Sequence, residues 1–468
     1  MKSVTLMILI LQMGFVALGQ NNITGDWNGL LDVMGNKLRV TFHIQKTDGN
    51  LSATLDSPDQ GAFGIPVEEI TFNQPELQIK MPNLGLTYLG KVNKSFNKIE
   101  GDFQQGGLNT TLVLKREAIE KPVVNRPQNP TEPYPYYTED LTFANKAADI
   151  ELAGTLTLPS KEGQYPVVVL ISGSGPQDRN EELMNHKPFL VLADHLTRQG
   201  IGVLRFDDRG VGKSTGDFAA ATSEDFASDV LAGVNYLKTR PEVKQNQIGL
   251  IGHSEGGLIA PMVAVQSEDV AFIVLLAGPG VPGTEILLLQ QRLISEANGE
   301  SESVINTSEK ILLAVFDELK KSEDIEASRK KLKGIYQEEL AKLPEEELKK
   351  LGDLDAFINQ QLQMLTSTWF RYFFEYDPKK TLEKVQCPVL ALNGEKDLQV
   401  DPEQNLPVIE AALKKGGNKQ YSVKELEGLN HLFQTDKTGN PNNYGKIEET
   451  FAPKALEAIS SWIKDILK

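Results

Sequence analysis

The run that decides the fold of this chain is Gln247-Ile248-Gly249-Leu250-Ile251-Gly252-His253-Ser254-Glu255-Gly256-Gly257. It begins as a short apolar segment typical of a buried strand, and the apolar residues 257–264 that follow it are typical of a helix. Gly252 and Gly256 each stand two residues from Ser254. Small neighbours are needed there when a strand turns sharply into a helix, because the turn strains the backbone and packs closely around the serine. The pattern therefore predicts a nucleophilic serine, and the alternative is a glycine-rich turn that contains a serine by chance.

The first 20 residues have the pattern of a secretory signal peptide. One lysine precedes an apolar run from Val4 to Leu18, and Ala17-Leu18-Gly19 offers small residues for cleavage. A membrane anchor is disfavoured, because the run is shorter than the roughly 20 residues that span a bilayer and no stop-transfer charges follow it. We expect an exported protein, periplasmic or secreted, that begins near Gln20 and has no membrane span.

Composition limits the classes of partner. The 468 residues predict two or three domains at about 150 residues each. A net charge of −16 argues against nucleic acid or an anionic membrane as partner. The single cysteine, Cys387, excludes an intrachain disulfide. No cluster of metal-ligating residues and no phosphate-binding glycine motif is recognisable, so neither a metal nor a cofactor is predicted.

Residues 21–117 read as a small antiparallel β domain. Short alternating runs, such as Leu51-Ser52-Ala53-Thr54-Leu55, are separated by Gly, Asn, Asp and Pro. The sequence leaves open whether this domain is a barrel or a sandwich. It also leaves open whether the domain binds a ligand or serves as a packing or dimerising module, so a homo-oligomer is possible. Residues 118–137 carry five prolines and predict a stiff linker between domains.

From residue 138 to the end at 468, strand and helix patterns alternate. Residues 141–145 and 151–159 predict a hairpin, and residues 167–171 form a continuous apolar run typical of a central parallel strand. This alternation predicts an α/β domain whose mostly parallel sheet has helices on both faces. Residues from about 283 to 380 break the alternation with four or five predicted helices. We interpret them as a lid over the edge of the sheet where ligands bind; the alternative is an extension of the scaffold.

A nucleophilic serine needs a base, and the base needs a carboxylate that fixes its tautomer. On such a sheet the three residues follow in the order Ser, Asp, His. His431 follows the last predicted strand and is the candidate base, with Ser254 as nucleophile. Asp397 and Asp401 both lie in the loop after the strand at 389–393, and Asp397 is preferred because it is closer to the strand end. His253 is predicted to pack beneath the serine.

An oxyanion hole requires two backbone N–H groups. The residue after the nucleophile, Glu255, is the first candidate donor. The second donor is expected in the turn after the strand at 167–171, where Ser174 is preferred to Gly175.

Several segments of residues 138–468 combine into a specific set: Gly173-Ser174-Gly175-Pro176-Gln177-Asp178-Arg179, Asp208-Arg209-Gly210, Gly252-His253-Ser254-Glu255-Gly256-Gly257, Trp369-Phe370, Tyr376-Asp377-Pro378, Cys387-Pro388-Val389-Leu390 and Asn430-His431-Leu432-Phe433. Together they resemble the secreted bacterial α/β-hydrolase carboxylesterases, which are neighbours of the dienelactone hydrolase and prolyl oligopeptidase groups. The resemblance implies an α/β-hydrolase fold with Ser254, Asp397 and His431 as the catalytic triad. Some of these esterases also carry a small β domain in front.

The sequence thus predicts an exported serine hydrolase that cleaves small carboxylic esters through an acyl-enzyme. A peptidase or amidase with the same triad is one alternative, and a binding protein on an inactive scaffold is another. Peptidases on this scaffold commonly carry a β-propeller, and even four blades would need roughly 160 residues. The β domain is too short for that, which favours esters. Some aromatic residues of the predicted lid are expected to line an acyl pocket; the candidates are Phe316, Trp369, Phe370, Phe373 and Phe374.

Overall fold

The computed structural model describes residues 22–33, 36–60, 62–106, 108–120, 125–322 and 324–468. The predicted signal peptide and its expected cleavage site near Gln20 lie outside the described residues. The described residues fall into two compact units, one that ends at residue 120 and one that begins at residue 125.

The first unit is a single nine-stranded sheet. Its strands are β1 (Gly25–Val33), β2 (Asn36–Thr47), β3 (Asn50–Ser57), β4 (Ala62–Pro66), β5 (Glu69–Asn73), β6 (Glu76–Met81), β7 (Leu86–Val92), β8 (Lys98–Gln105) and β9 (Leu108–Lys115). They are arranged in the order β4-β3-β2-β1-β9-β8-β7-β6-β5. The pairs β2–β3, β3–β4 and β1–β9, and all neighbouring pairs from β9 to β5, are antiparallel. The predicted all-β domain is therefore confirmed.

This sheet curls around its apolar side. Phe42 on β2 stacks on Tyr88 on β7 with 6.2 Å between ring centroids, although three strands separate them in the sheet order. Four strand spacings of about 4.8 Å would place them roughly 19 Å apart in a flat sheet. Both rings are fully buried, as is Trp27 on β1. The apolar face of this unit therefore forms its own core.

The second unit is built on an eight-stranded sheet. Its strands are β10 (Tyr137–Asn145), β11 (Ile150–Leu158), β12 (Tyr165–Ile171), β13 (Gly202–Phe206), β14 (Val243–His253), β15 (Val270–Leu276), β16 (Val389–Gly394) and β17 (Tyr421–Leu426). The strand order is β10-β11-β13-β12-β14-β15-β16-β17. The hairpin β10–β11 is antiparallel, β11 also runs antiparallel to β13, and all pairs from β13 to β17 are parallel. This arrangement confirms the predicted hairpin and the mostly parallel sheet.

Helices cover both faces of this sheet, as predicted. They are α1 (Pro188–Arg198), α2 (Ser223–Leu237), α3 (Glu255–Ala264), α11 (Pro402–Lys415) and α12 (Pro453–Ile466). One apolar core packs α2, α3 and α11 against the sheet, and a second packs α1 and α12 against the opposite face. The central strands are buried on both sides and therefore read as continuous apolar runs in the sequence.

The insertion between β15 and β16 is helical, with more helices than the sequence indicates. It consists of α4 (Gly283–Ala297), α5 (Glu302–Lys321), α6 (Ile325–Leu340), α7 (Glu345–Lys350), α8 (Leu354–Leu365), α9 (Thr368–Glu375) and α10 (Pro378–Leu382). Seven helices replace the four or five predicted, because Ser and Asp side chains cap new helices within what reads as longer ones. Ser301, Asp324, Asp353, Ser367 and Asp377 each accept a hydrogen bond from a backbone N–H of the first turn.

Residues 125–137 of the predicted linker belong with the second unit, and residues 118–120 belong with the first. Arg126 donates to the carbonyl oxygen of Ile447 at 2.8 Å. The Gln128 side chain accepts from the amide of Thr450 at 2.6 Å and donates to the carbonyl oxygen of Phe451 at 2.7 Å. These two polar side chains fix the segment to the C-terminal part of the chain, and β10 already begins at Tyr137. Within the described ranges, no helix combines the length and apolar character needed to span a membrane.

Candidate active site

Ser254 stands on a sharp turn between β14 and α3. Its backbone has φ 53° and ψ −118°, a conformation that L residues rarely adopt, and its amide donates to the carbonyl oxygen of Leu276 at 2.8 Å. A Cβ atom on Gly252 would overlap the carbonyl oxygen of Gly256, and one on Gly256 would overlap that of Ile171. Both positions therefore require glycine, which is the physical reason for the spacing in the sequence.

His431 and Asp397 meet at the end of the sheet. His431 lies in the loop after β17 and Asp397 in the loop after β16; His431 Nδ1 is 2.8 Å from Asp397 Oδ2. The other carboxylate oxygen of Asp397 accepts from the amides of Gln399 at 2.8 Å and Val400 at 2.9 Å. A carboxylate in this setting only accepts, so Nδ1 carries the proton and Nε2 presents its lone pair. Both side chains are almost fully buried.

Asp401 has a different place in the structure. It is the N-cap of α11, and its side chain accepts from the amide of Gln404 at 2.7 Å. The structure therefore brings Asp397, and not Asp401, to His431.

Ser254 and His431 border the same cavity, which has a volume of about 270 Å³. The helical insertion supplies part of its wall through α4 and α9; the residues are Ile286, Leu287, Gln290, Trp369 and Phe373. The sequence predicts that some of five aromatic residues line a pocket, and Trp369 and Phe373 line this cavity. Phe316, Phe370 and Phe374 belong to the apolar interior of the insertion itself, because seven short helices need a core of their own.

The two preferred oxyanion donors border this cavity. The Glu255 amide is the first of α3, where helical N–H groups have no intrahelical partner. The Ser174 amide lies in the turn after β12. Neither amide donates a hydrogen bond to any described residue. Ser174 lines the described cavity and Gly175 does not; the choice of Ser174 as second donor stays a prediction.

The Glu255 side chain joins the insertion to the turn that carries Ser254. Its Oε1 accepts from the Ser223 hydroxyl at 2.6 Å and from the Trp369 indole N–H at 2.8 Å. Burial raises the pKa of this carboxyl, and the hydrogen bonds oppose the shift. Sequence patterns single out only the amide of Glu255, because the partners of its side chain lie 32 and 114 residues away along the chain.

His253 and Glu181 form a second pair beside His431. His253 Nδ1 is 2.9 Å from Glu181 Oε1, and His253 Nε2 is 3.0 Å from the carbonyl oxygen of His431. The rings of His253 and His431 lie 4.9 Å apart between centroids. His253 therefore lines the cavity beside His431. The sequence predicted only that it packs beneath Ser254 and did not indicate its contacts with Glu181 and His431. Nothing in the local sequence marked Glu181.

The Asp207-Asp208-Arg209 segment supports the surrounding loops. Asp207 pairs with Arg179 at 2.7 Å, and Arg209 pairs with Asp229 at 2.7 Å. Asp208 accepts from the Ser172 hydroxyl at 2.7 Å and from the Gln177 amide at 2.9 Å, and burial raises its pKa to about 8. These contacts hold the turn that contains Ser174.

The remaining histidines lie elsewhere. His43 pairs with Asp26 and Asp56 in the first unit, His186 is buried against Thr450 and Tyr444, and His195 contacts Ser460. Among the described residues, no group of three or more His, Cys, Asp or Glu side chains is placed to hold a metal ion.

The sheet order, the turn at Ser254 between β14 and α3, and the later Asp397–His431 pair define an α/β-hydrolase. The family model Hydrolase_4, described as serine aminopeptidase, S33, matches residues 186–438, and the chain belongs to this family.

Similar proteins include Esterase EstD from Thermotoga maritima, which is 25% identical over 368 residues, covering 77% of each chain. Among solved structures, the esterase Pf2001 of Pyrococcus furiosus is 17% identical with a TM-score of 0.42, covering 70% of this chain and 93% of that chain. The α/β-hydrolase GrgF from a Penicillium species is 17% identical with a TM-score of 0.43, covering 70% of this chain and 98% of the other.

Proposed function

We propose that this protein is an exported carboxylesterase that hydrolyses small esters through an acyl-enzyme on Ser254. The hydrolase class follows from the family, and the similar protein EstD is named an esterase. The observation that carries the mechanism is the buried His431–Asp397 hydrogen bond at the cavity that Ser254 borders.

In the proposed reaction, His431 Nε2 takes the proton of the Ser254 hydroxyl as the oxygen attacks the ester carbonyl carbon. The negative oxygen of the tetrahedral intermediate binds the amides of Glu255 and Ser174, which have no other acceptor in the described structure. His431 then protonates the departing alcohol, leaving the acyl group on Ser254. A water molecule, activated by His431, attacks the acyl-enzyme and releases the acid.

The proposed substrates are short esters. A volume of about 270 Å³ lies just below the range of roughly 300–1,000 Å³ that is typical of pockets for larger ligands. Its wall combines the apolar side chains of Ile286, Leu287 and Phe373 with the amides of Gln290 and Gln399. We interpret the insertion as a lid, because two of its helices close one side of this cavity.

Peptides are the second candidate substrate, since the description of the family names an aminopeptidase. Glu181 and Glu255 place carboxyl groups in the cavity wall, where a substrate ammonium group could bind. Both carboxyls, however, already accept hydrogen bonds from protein groups, which favours the ester reading.

The test compares kcat/KM for acetyl and butyryl nitrophenyl esters with that for alanyl and prolyl nitroanilides, using the wild-type chain and Ser254→Ala. We expect ester turnover to exceed amide turnover by several orders of magnitude, beyond the difference in intrinsic reactivity measured with hydroxide. Efficient cleavage of the nitroanilides or of an unactivated dipeptide, with Ser254 required, would establish the peptidase instead.

A further inference from the structure

His253 faces a hydrogen-bond acceptor at each of its two ring nitrogens. On one side Nε2 is 3.0 Å from the backbone carbonyl oxygen of His431, which has no proton to give, so Nε2 must carry a hydrogen. On the other side Nδ1 is 2.9 Å from Glu181 Oε1. A neutral imidazole with its hydrogen on Nε2 would direct the lone pair of Nδ1 at a carboxylate oxygen.

One proton between Nδ1 and Oε1 removes this conflict. It resides on the histidine, because Glu181 Oε1 also accepts from the amide of Gly173 at 2.8 Å. An oxygen that accepts two N–H groups is suited to the ionised carboxylate. The two side chains are 9% and 6% exposed, so a charge on either one without the other would be costly.

We propose that His253 is a doubly protonated positioning residue that, paired with Glu181, holds together the three segments that build the site. These segments are the turn at 172–175, the turn that carries Ser254, and the loop at 429–433. His253 binds the backbone of His431, and Glu181 binds the amide of Gly173, next to Ser174. The role in catalysis rests on the proposed function, whereas the protonation state does not.

The charges around His253 favour the imidazolium. Burial lowers its pKa, but the charge and hydrogen bond of Glu181, the carbonyl of His431 and the charge of Asp397 raise it above the ordinary value. The other titratable group in contact is the ring of His431.

The protonation state is tested by ¹⁵N NMR of protein labelled at its five histidines. His253 is identified by cross-relaxation between its ring and that of His431, and by loss of its signals in His253→Gln. At pH 7 both ring nitrogens of His253 should carry protons. His186 is the internal control, because burial lowers its pKa to about 4 and it should show one protonated nitrogen. A single protonated nitrogen on His253 would overturn the proposal, and the cross-relaxation assignment allows this measurement on the wild-type chain even if His253→Gln does not fold.

The positioning role is tested with Glu181→Gln, which preserves the shape of the side chain but removes the negative charge that faces His253 Nδ1. We expect one imidazole proton to be lost from His253 and kcat for a butyryl ester to fall about 10- to 100-fold, with a smaller change in KM. His195→Gln, at a histidine that contacts α12, is the matched control and should leave both constants unchanged. An unchanged kcat in a folded Glu181→Gln variant would overturn the positioning role, while the need for Ser254 would still stand.

Discussion

At the scale of single residues, Asp397 and Asp401 offer a direct comparison of two carboxylates in one loop. Asp397→Asn should leave the backbone contacts of the loop largely intact but present the wrong partner to His431 Nδ1. Kcat for ester hydrolysis should then fall on the order of 10⁴-fold. The measurement is steady-state turnover of a butyryl ester by the folded variant.

Asp401→Asn is the control for this comparison. Asparagine also caps helices well, so α11 should persist and activity should change little. Asp401→Ala should lower the free energy of unfolding by about 1 kcal/mol through loss of the cap. If the Asp401 variants lost more activity than Asp397→Asn, the assignment of the acid would be wrong.

A site residue could be predicted from the sequence when the pattern that marks it lies in its immediate sequence neighbourhood. Ser254, Asp397 and His431 sit at fixed places relative to strand ends, so alternation and spacing located them. The carboxyl groups of Glu181 and Glu255 contact partners that are distant in the sequence, and no local pattern predicts those contacts.

At the scale of elements, the insertion makes a prediction about the acyl pocket. Phe373 on α9 lines the cavity, and Phe373→Ala should enlarge it. The ratio of kcat/KM for longer acyl esters to kcat/KM for the acetyl ester should therefore rise about 10-fold or more. A series of nitrophenyl esters from acetyl to octanoyl measures the profile.

Phe374→Leu is the matched control, because Phe374 is buried among the helices of the insertion and does not line the cavity. It should reduce stability and leave the chain-length profile unchanged. An unaltered profile in Phe373→Ala would contradict the acyl-pocket interpretation.

Elements were predicted well where burial imposes a simple pattern. The strands predicted at 151–159 and 167–171 are found at Ile150–Leu158 and Tyr165–Ile171, within two residues at each end. The helices of the insertion were undercounted, because an internal cap such as Asp353 differs from an ordinary surface aspartate only when the backbone turns there.

At the scale of the whole molecule, the proposed export predicts processing of the chain. The run Val4–Leu18 followed by Ala17-Leu18-Gly19 should be removed just before or after Gln20. Intact mass of the protein recovered from the medium or periplasm should lack the first 19 or 20 residues. Recovery of the full-length chain from a membrane fraction would contradict export by this route.

The presence of an all-β part and an α/β part could be predicted from the sequence because two different residue patterns follow one another in the chain. The alternating runs of the first unit and the apolar runs of the second differ in period and length, so the change of class is visible near residue 138. The sequence did not decide between a barrel and a sandwich for the first unit, since contacts such as the stacking of Phe42 on Tyr88 join strands that are far apart in the sheet.

The acyl-enzyme on Ser254 is the central claim, and trapping it is the most direct test. The protein is mixed with a nitrophenyl ester for milliseconds, quenched in acid and analysed by intact and peptide mass spectrometry. The account predicts a burst of nitrophenol equal to the enzyme concentration and one acyl group, located on Ser254 and absent in Ser254→Ala. An acyl group on another residue, or undiminished ester turnover by Ser254→Ala, would contradict it.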